Sequence, residues 1–232
     1  MAPKRILDPR AIPVAGIDAH LPPLELARLT ADALRGRFAQ SRVWTPEHAG
    51  DGSRFQPERE PAHAAVLVPL VQRPQGLQVL LTRRTDHLRD HAGQISFPGG
   101  RSEPHDDGPA GTALRETLEE VGLAPDRVQI IGQMPTYTTV THFVVTPVVA
   151  LVLPPFDLAL DSFEVAEAFE VPLDYLMNPA HHRRHVFSLE GAERQFLSMP
   201  WQGPGADGVA REYFIWGATA AMLRNLYRFL AE

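Results

Sequence analysis

Three glutamates lie close together in residues 111–121, a segment whose apolar spacing predicts a helix. Glu116, Glu119 and Glu120 stand at positions i, i+3 and i+4, so a helix places their carboxylates on one face. Like charges on adjacent turns repel each other by roughly 0.2–0.5 kcal/mol per pair, and Arg115, four residues before Glu119, offsets part of this cost. A divalent cation would relieve the rest, since Mg²⁺ prefers carboxylate, water and phosphate oxygens. The alternative interpretation is an acidic helix face that is simply solvated.

The same segment carries the signals of a packed helix with a defined end. Leu114, Leu118 and Val121 recur at i, i+4 and i+7, and we predict that they form its buried stripe. Gly122 follows at a point where helix C-termini commonly take a left-handed residue. The sequence therefore predicts that the helix ends there.

The glutamates belong to a longer pattern that begins at a pair of glycines, Gly99 and Gly100. From the second glycine onward the sequence resembles the Nudix box of the Nudix hydrolases, G-x5-E-x7-R-E-U-x-E-E-x-G-U, where U is an aliphatic residue. The matching positions are Gly100, Arg115, Glu116, Glu119, Glu120, Gly122 and Leu123. Asp106 replaces the first glutamate, one extra residue separates it from Arg115, and Thr117 stands where an aliphatic residue is usual. We expect the extra residue to lie in the loop before the helix, which preserves the spacing of the three glutamates.

The resemblance implies an α+β Nudix fold, in which a mixed β-sheet is sandwiched between helices. It also implies hydrolysis of a nucleoside diphosphate linked to another group, with Mg²⁺ or Mn²⁺ as the cofactor. Glu116 and Glu120 would be the main metal ligands, and Glu119 a further ligand or a carboxylate that orients water. A backbone carbonyl at Gly100 or the residue before it would complete the shell, and Arg115 would hold the carboxylates in place.

A basic segment leads directly into the glycine pair and contains Arg83, Arg84 and Arg89. Arginine forks suit terminal phosphates, although ordinary salt bridges with nearby aspartates are the simpler interpretation. The segment is very similar to the motif LLTxRSxxLRxHxGQxxFPGG of the coenzyme A pyrophosphatase branch, with Thr85 where serine is usual. That branch implies cleavage of coenzyme A or its thioesters to phosphopantetheine (or acyl-phosphopantetheine) and adenosine 3′,5′-bisphosphate. The arginines would then bind the pyrophosphate or the 3′-phosphate.

A general base must reach the metal-bound water, and in Nudix enzymes it comes from the box helix or from a glutamate in a later loop. Glu164 occupies a position that resembles this later acid, and we predict it as a catalytic residue. We interpret its neighbour Glu167 as a solvated surface residue. We interpret the run HHRRH at 181–185 as a polar loop without a ligand role, because it lacks a carboxylate partner of suitable spacing.

Short apolar strands with few helices must position these motifs, which favours an α+β arrangement. We predict strands at 64–71, 77–83, 128–134, 143–153 and 211–216, a hairpin at 187–197, helices at 24–38 and 218–231, and a helical turn at 173–176. We divide the chain into an N-terminal arm and helix at 1–60, without a catalytic role, and a Nudix domain at 61–232.

Composition narrows the chemistry further. The 232 residues include 28 acidic and 22 basic side chains and no cysteine, so disulfides, thiolate metal sites and cysteine nucleophiles are excluded. A net charge of −6 argues against nucleic-acid binding, and no apolar run approaches the ~18 residues that span a bilayer. We expect a cytoplasmic protein with a small-molecule substrate and no nucleic-acid or membrane partner; a homodimer is left open.

Two rival functions stay open at this point. One is a Nudix pyrophosphatase for another nucleotide, such as ADP-ribose, NADH or a nucleoside triphosphate. The other is a non-catalytic Nudix domain that senses a ligand. The three intact glutamates favour an enzyme, because a sensor does not need a full set of metal ligands.

Overall fold

A computed structural model describes residues 8–40, 43–51, 60–87, 92–189, 191–205 and 207–232. Its strands are β1 Val14–Ile17, β2 Ala62–Arg73, β3 Gly76–Arg84, β4 Ile95–Ser96, β5 Gly99–Arg101, β6 Val128–Gln133, β7 Tyr137–Thr138, β8 Phe143–Val152, β9 Val165–Pro172, β10 Arg183–Leu189, β11 Ala192–Pro204 and β12 Ala210–Trp216. Its α-helices are α1 Ala31–Phe38, α2 Gly108–Val121, α3 Leu173–Leu176 and α4 Gly217–Ala231. None of the helices in these ranges has the length and apolar character that a bilayer span requires.

Strands β2 to β9 form a mixed sheet with the central order β4-β3-β2-β8-β6. Strand β2 runs parallel to β8 along its length, whereas its pairing with β3 and β5 is antiparallel. Strand β9 pairs with β3 and so lies beside the end of the basic segment. One face of the sheet packs against α2 and the other packs against α4 and the second sheet. The predicted α+β arrangement is confirmed.

A second sheet, antiparallel throughout, has the order β1-β10-β11-β12. Its edge strand β1 comes from the N-terminal segment and pairs Val14 with His185. The same segment supplies Asp18 and Glu47, which contact the fully buried Arg224 of α4 at 3.0 and 2.8 Å. The described part of residues 1–60 therefore packs onto the rest of the chain, and the boundary at residue 60 stays a prediction.

Helix α2 buries only one residue of the predicted stripe, Val121, and Leu114 is half-buried. Ala113, Thr117 and Val121 are buried, whereas Leu118 is 45% exposed. The small side chains let the helix lie close against β2, so volume rather than hydrophobicity selects the buried face. The helix does end at Gly122, which takes a left-handed φ of 70° and donates its N–H to the Leu118 carbonyl.

Two other predictions are wrong in local detail. The helix expected at 24–38 is a 3-10 turn followed by α1, because the Thr30 hydroxyl accepts the Ala33 N–H and starts a new helix. The run at 181–185 enters strand β10 instead of forming a polar loop, and His182 and His185 are buried. Pairing of β10 with β1 and β11 turns the His185 side chain inward, and His182, just before the strand, accepts a hydrogen bond from the buried Arg224; a local polar pattern reveals neither.

Candidate active site

Strand β5 brings the glycine pair against β2 and against α2. Gly99 has a φ of +149°, and a Cβ atom there would lie 2.5 Å from the Val66 Cα. A Cβ atom on Gly100 would lie 2.4 Å from a carboxylate oxygen of Glu116. Gly99 is therefore required sterically, and Gly100 packs its backbone directly against one of the predicted metal ligands, which a side chain there would displace.

Arg115 organises the acidic face of α2. Its Nε and Nη2 atoms donate to the Asp106 carboxylate at 2.8 and 3.0 Å, and Nη2 also donates to the Arg101 carbonyl. Its Nη1 atom donates to Glu116 at 2.9 Å and to Glu119 at 3.1 Å. The Arg115 guanidinium holds the pKa of Asp106 well below its usual range. Asp106, the departure from the box pattern, thus anchors the arginine that aligns two of the glutamates.

Glu120 is the buried member of the group. It accepts the Gly99 N–H at 3.1 Å, and Arg84 Nη1 lies 3.7 Å from its other oxygen. Burial raises the pKa of Glu120 to about 7; Gly99 and Arg84 oppose this shift, and the negative charges of Glu164 and Glu116 add to it. Burial also raises the pKa of Glu116. Carboxylates in this group are held closer together than their charges alone would allow.

The loop between β8 and β9 places Glu164 beside these carboxylates. Its side chain is 44% exposed, and one of its oxygens lies 4.0 Å from Arg84 Nη1. The loop is fixed by two backbone hydrogen bonds, from Thr85 N–H to the Glu164 carbonyl and from Asp161 N–H to the Glu120 carbonyl. The structure therefore joins Glu164 to the box glutamates despite their separation in sequence.

The basic segment divides between the two faces of the sheet. Arg84 lies on the α2 face, near Glu120, whereas Arg83 lies on the opposite face with its Nε 3.6 Å from a Glu167 oxygen. The prediction for Arg89 falls outside the described residues. The Nε of Arg84 is buried and has no hydrogen-bond partner among the described residues. Of the predicted arginines that are described, Arg84 is the one beside the carboxylates.

Glu167 is not the solvated residue that the sequence suggested. It is buried on β9, accepts the Tyr213 hydroxyl at 2.8 Å and lies 3.4 Å from Arg211 Nη1. The spacing of Val165, Glu167 and Phe169 at every second residue was the available signal, because side chains alternate along a strand and the flanking pair is buried. Reading residues 165–172 as a strand would have placed Glu167 on the buried face.

The donor set fits a hard divalent cation. The charged side chains of the group are Asp106, Glu116, Glu119, Glu120, Glu164, Arg84 and Arg115. Five carboxylates against two guanidiniums leave three formal negative charges. Within the described ranges no three histidine, aspartate or glutamate side chains already converge on a single ion position. In the structure Arg115 donates to Glu116 and the Gly99 N–H donates to Glu120. Mg²⁺ completes its coordination shell with water, so one or two carboxylates from the protein usually suffice.

Comparison with known proteins identifies the class. The NUDIX domain family matches residues 61–189, and the chain belongs to this family. It is a hydrolase of the Nudix type. The family match confirms the Nudix fold and the enzyme class that the box predicted.

Its relatives include proteins named "Uncharacterized Nudix hydrolase NudL". The one from Shigella flexneri serotype 5b (strain 8401) is 40% identical over 208 residues, which cover 88% of this chain and 96% of that protein. The one from Escherichia coli (strain K12 / DH10B) is 40% identical over 165 residues, 70% of this chain and 80% of that protein. A solved C. elegans Ap4A hydrolase binary complex superposes with a TM-score of 0.43 at 23% identity, over 50% of this chain and 85% of that one.

Proposed function

We propose that this Nudix hydrolase uses Mg²⁺ or Mn²⁺ to cleave the pyrophosphate bond of coenzyme A or its thioesters. The products would be phosphopantetheine, or its acyl derivative, and adenosine 3′,5′-bisphosphate. The observation that carries the chemistry is the group of five carboxylates with Arg84 beside it. The choice of substrate rests on the segment before the glycine pair, whose residues resemble the coenzyme A pyrophosphatase branch.

Glu116 and Glu120 are the proposed metal ligands, with Glu119 and the Gly100 carbonyl as further donors. When bound, the ion neutralises the pyrophosphate and lowers the pKa of a coordinated water. Arg115 keeps Glu116 and Glu119 aligned through its two short hydrogen bonds. Its other two donors stay on Asp106, so the carboxylates keep their relative positions when their charge is neutralised.

Glu164 is the proposed general base. Its partial exposure lets a water molecule reach its carboxylate, and it lies beside Arg84, the proposed pyrophosphate contact, at 4.0 Å. Glu119, which is also exposed to solvent, is the alternative. Glu164→Gln and Glu119→Gln separate the two, because loss of the base lowers kcat and removes the lower limb of the pH–rate profile, whereas loss of an outer ligand raises the metal concentration required.

Arg84 is the proposed contact for the pyrophosphate. Among the described residues its guanidinium makes two long ion pairs, 3.7 Å to Glu120 and 4.0 Å to Glu164. Hydrogen bonds to a phosphate are shorter and stronger than these. Arg83 lies on the opposite face of the sheet, 3.6 Å from Glu167, so of the two other arginines of the basic segment we propose Arg89 for the 3′-phosphate. Arg84→Lys should raise KM, because a lysine offers a point charge and not a bidentate fork.

A substrate panel tests the proposed function. The purified chain is incubated with Mg²⁺ or Mn²⁺ and coenzyme A, acetyl-coenzyme A, ADP-ribose, NADH or ATP, and products are separated by ion exchange. We expect kcat/KM to be highest for coenzyme A or its thioester, with adenosine 3′,5′-bisphosphate as a product. Equal or better turnover of ADP-ribose would reject the coenzyme A assignment, and binding without any turnover would indicate a sensor.

A matched pair of variants keeps the panel interpretable. Glu120→Gln should abolish metal-dependent turnover of every substrate. Glu103→Gln removes the charge of another glutamate of the box segment and should retain activity. The Glu103 side chain is half exposed, and within the described ranges its one ion pair is with His105 at 3.4 Å. Equal activity of both variants would reject the metal-ligand assignment.

A further inference from the structure

An aromatic side chain stands exposed next to the proposed base. Phe163 is 64% exposed, although large apolar side chains are usually buried. Its backbone is held on both sides: its N–H donates to the Asp161 carboxylate at 2.9 Å, and its carbonyl accepts the Thr85 hydroxyl at 2.8 Å. The ring is therefore presented to solvent by a fixed loop.

Among the described residues the Phe163 ring contacts one other aromatic ring, that of His87, which lies close to Arg84 in sequence. The His87 ring lies with its centroid 5.0 Å from that of Phe163, at an interplanar angle of 59°. His87 follows Arg84 by three residues, and Phe163 precedes Glu164 directly. The two rings are therefore carried by the same two chain segments as Arg84 and Glu164, whose charged groups lie 4.0 Å apart.

We propose that Phe163 stacks against the purine base of the nucleotide half of the substrate and so determines specificity. This inference rests on the proposed function to the extent that the substrate is a purine nucleotide with a pyrophosphate bond. In such a molecule one ribose separates the base from the phosphates, so phosphates held at Arg84 leave the base near the rim of the site. A flat, exposed ring suits a base, because stacking needs a π-face and no hydrogen bonds. A pantetheine arm, by contrast, carries amides that need hydrogen-bond partners.

Competition among three small inhibitors tests this assignment. The probes are adenosine 5′-monophosphate, which has a base and a phosphate, ribose 5-phosphate, which lacks the base, and 4′-phosphopantetheine. In Phe163→Leu we expect the Ki of adenosine 5′-monophosphate and the KM of coenzyme A to rise about tenfold. The Ki values of ribose 5-phosphate and 4′-phosphopantetheine should stay the same, and kcat should change less than twofold. Phe163→Trp should restore the affinity lost in Phe163→Leu.

The controls separate stacking from a structural effect. Leu26→Ala removes a side chain that is 69% exposed on the N-terminal segment and should leave every constant unchanged. The Tm of Phe163→Leu should equal that of the unmodified protein. Unchanged inhibition by adenosine 5′-monophosphate, or weaker inhibition by 4′-phosphopantetheine, would overturn the assignment.

Failure of this inference is distinguishable from failure of the coenzyme A assignment. If the substrate panel selects ADP-ribose, the same competition is run on ADP-ribose, which also carries adenine. If no substrate is hydrolysed, calorimetric titration with adenosine 5′-monophosphate and with ribose 5-phosphate in Mg²⁺ gives the same comparison. In either case a tenfold loss confined to the base-containing probe supports stacking by Phe163, and its absence rejects it.

Discussion

Two groups of charged side chains lie on opposite sides of the protein, and they are built differently. Around Arg224, the acids Asp18 and Glu47 face three arginines, and contacts of 2.6 to 3.0 Å join the charges. Burial opposes ionisation of Glu47, but hydrogen bonds from His48, Arg224 and Arg228 lower its pKa far below the usual range. In this N-terminal charge cluster each acid lies within hydrogen-bond distance of an arginine.

The acidic group of α2 has the opposite character. It carries three formal negative charges in excess, Arg84 remains 3.7 and 4.0 Å from its partners, and burial with crowding raises the pKa of Glu120. A cluster that stabilises its own charges supports the fold, whereas one that leaves charge unbalanced is prepared for a ligand of opposite sign. The two regions should therefore respond to substitution in opposite ways.

The largest expected effect is loss of activity in Glu120→Gln. Removing a charge that stabilises the transition state through the metal should lower kcat/KM about a thousandfold. The free energy of unfolding without metal should not fall, because burial and neighbouring carboxylates disfavour the charge that is removed. Activity assays and urea unfolding of one preparation measure both. A clear loss of stability in Glu120→Gln would mean that Glu120 supports the fold, as the N-terminal charge cluster does.

Asp18→Asn should show the reverse pattern. It leaves the fully buried Arg224 without one of its carboxylates, and breaking a buried pair in this way costs about 3 kcal/mol. We expect urea unfolding to detect that loss while kcat/KM changes little, because the contact lies on the N-terminal segment. If kcat/KM falls as far as in Glu120→Gln, the two clusters do not have separate roles.

His182 adds a pH-dependent test of the N-terminal cluster. Burial lowers the pKa of His182 to about 4, and the positive charge of Arg224 contributes to this shift. The hydrogen bond from its Nε2–H to the Leu176 carbonyl acts in the opposite direction. Since the folded-state pKa lies below the unfolded value, the stabilisation is complete above pH 6.5 and is lost as pH falls toward 4. At pH 5 the stability lost through protonation of the unfolded state amounts to about 2 kcal/mol. The difference in unfolding free energy between the unmodified protein and His182→Gln, measured from pH 7 to 4.5, isolates this contribution; a pH-independent difference would contradict it.

The sequence predicted the acidic site better than its surroundings, because the site is encoded locally. Spacing of i, i+3 and i+4 places three glutamates on one helix face whatever lies around them. Glu167 is missed when its segment is not read as a strand: the alternation at 165–169 indicates an inward side chain, but the partners that make its burial favourable, Tyr213 and Arg211, come from a distant strand. Arg83 and Arg84 could have been separated in advance, since neighbours on a strand point to opposite faces.

The smallest expected effect is a change of stability at Thr117, on the buried face of α2, and Thr112 provides its control. The Thr117 hydroxyl is buried and has no hydrogen-bond partner among the described residues, whereas the Thr112 hydroxyl donates to Asp106 at 2.8 Å. Thr117→Val should raise the free energy of unfolding by about 1 kcal/mol, because a valine removes an unsatisfied polar group. Thr112→Val, the same change at the other buried threonine of α2, should lower it by about 1 kcal/mol and loosen Asp106. Parallel urea titrations decide the matter: two shifts of the same sign would mean that helix packing, and not hydrogen bonding, governs both positions.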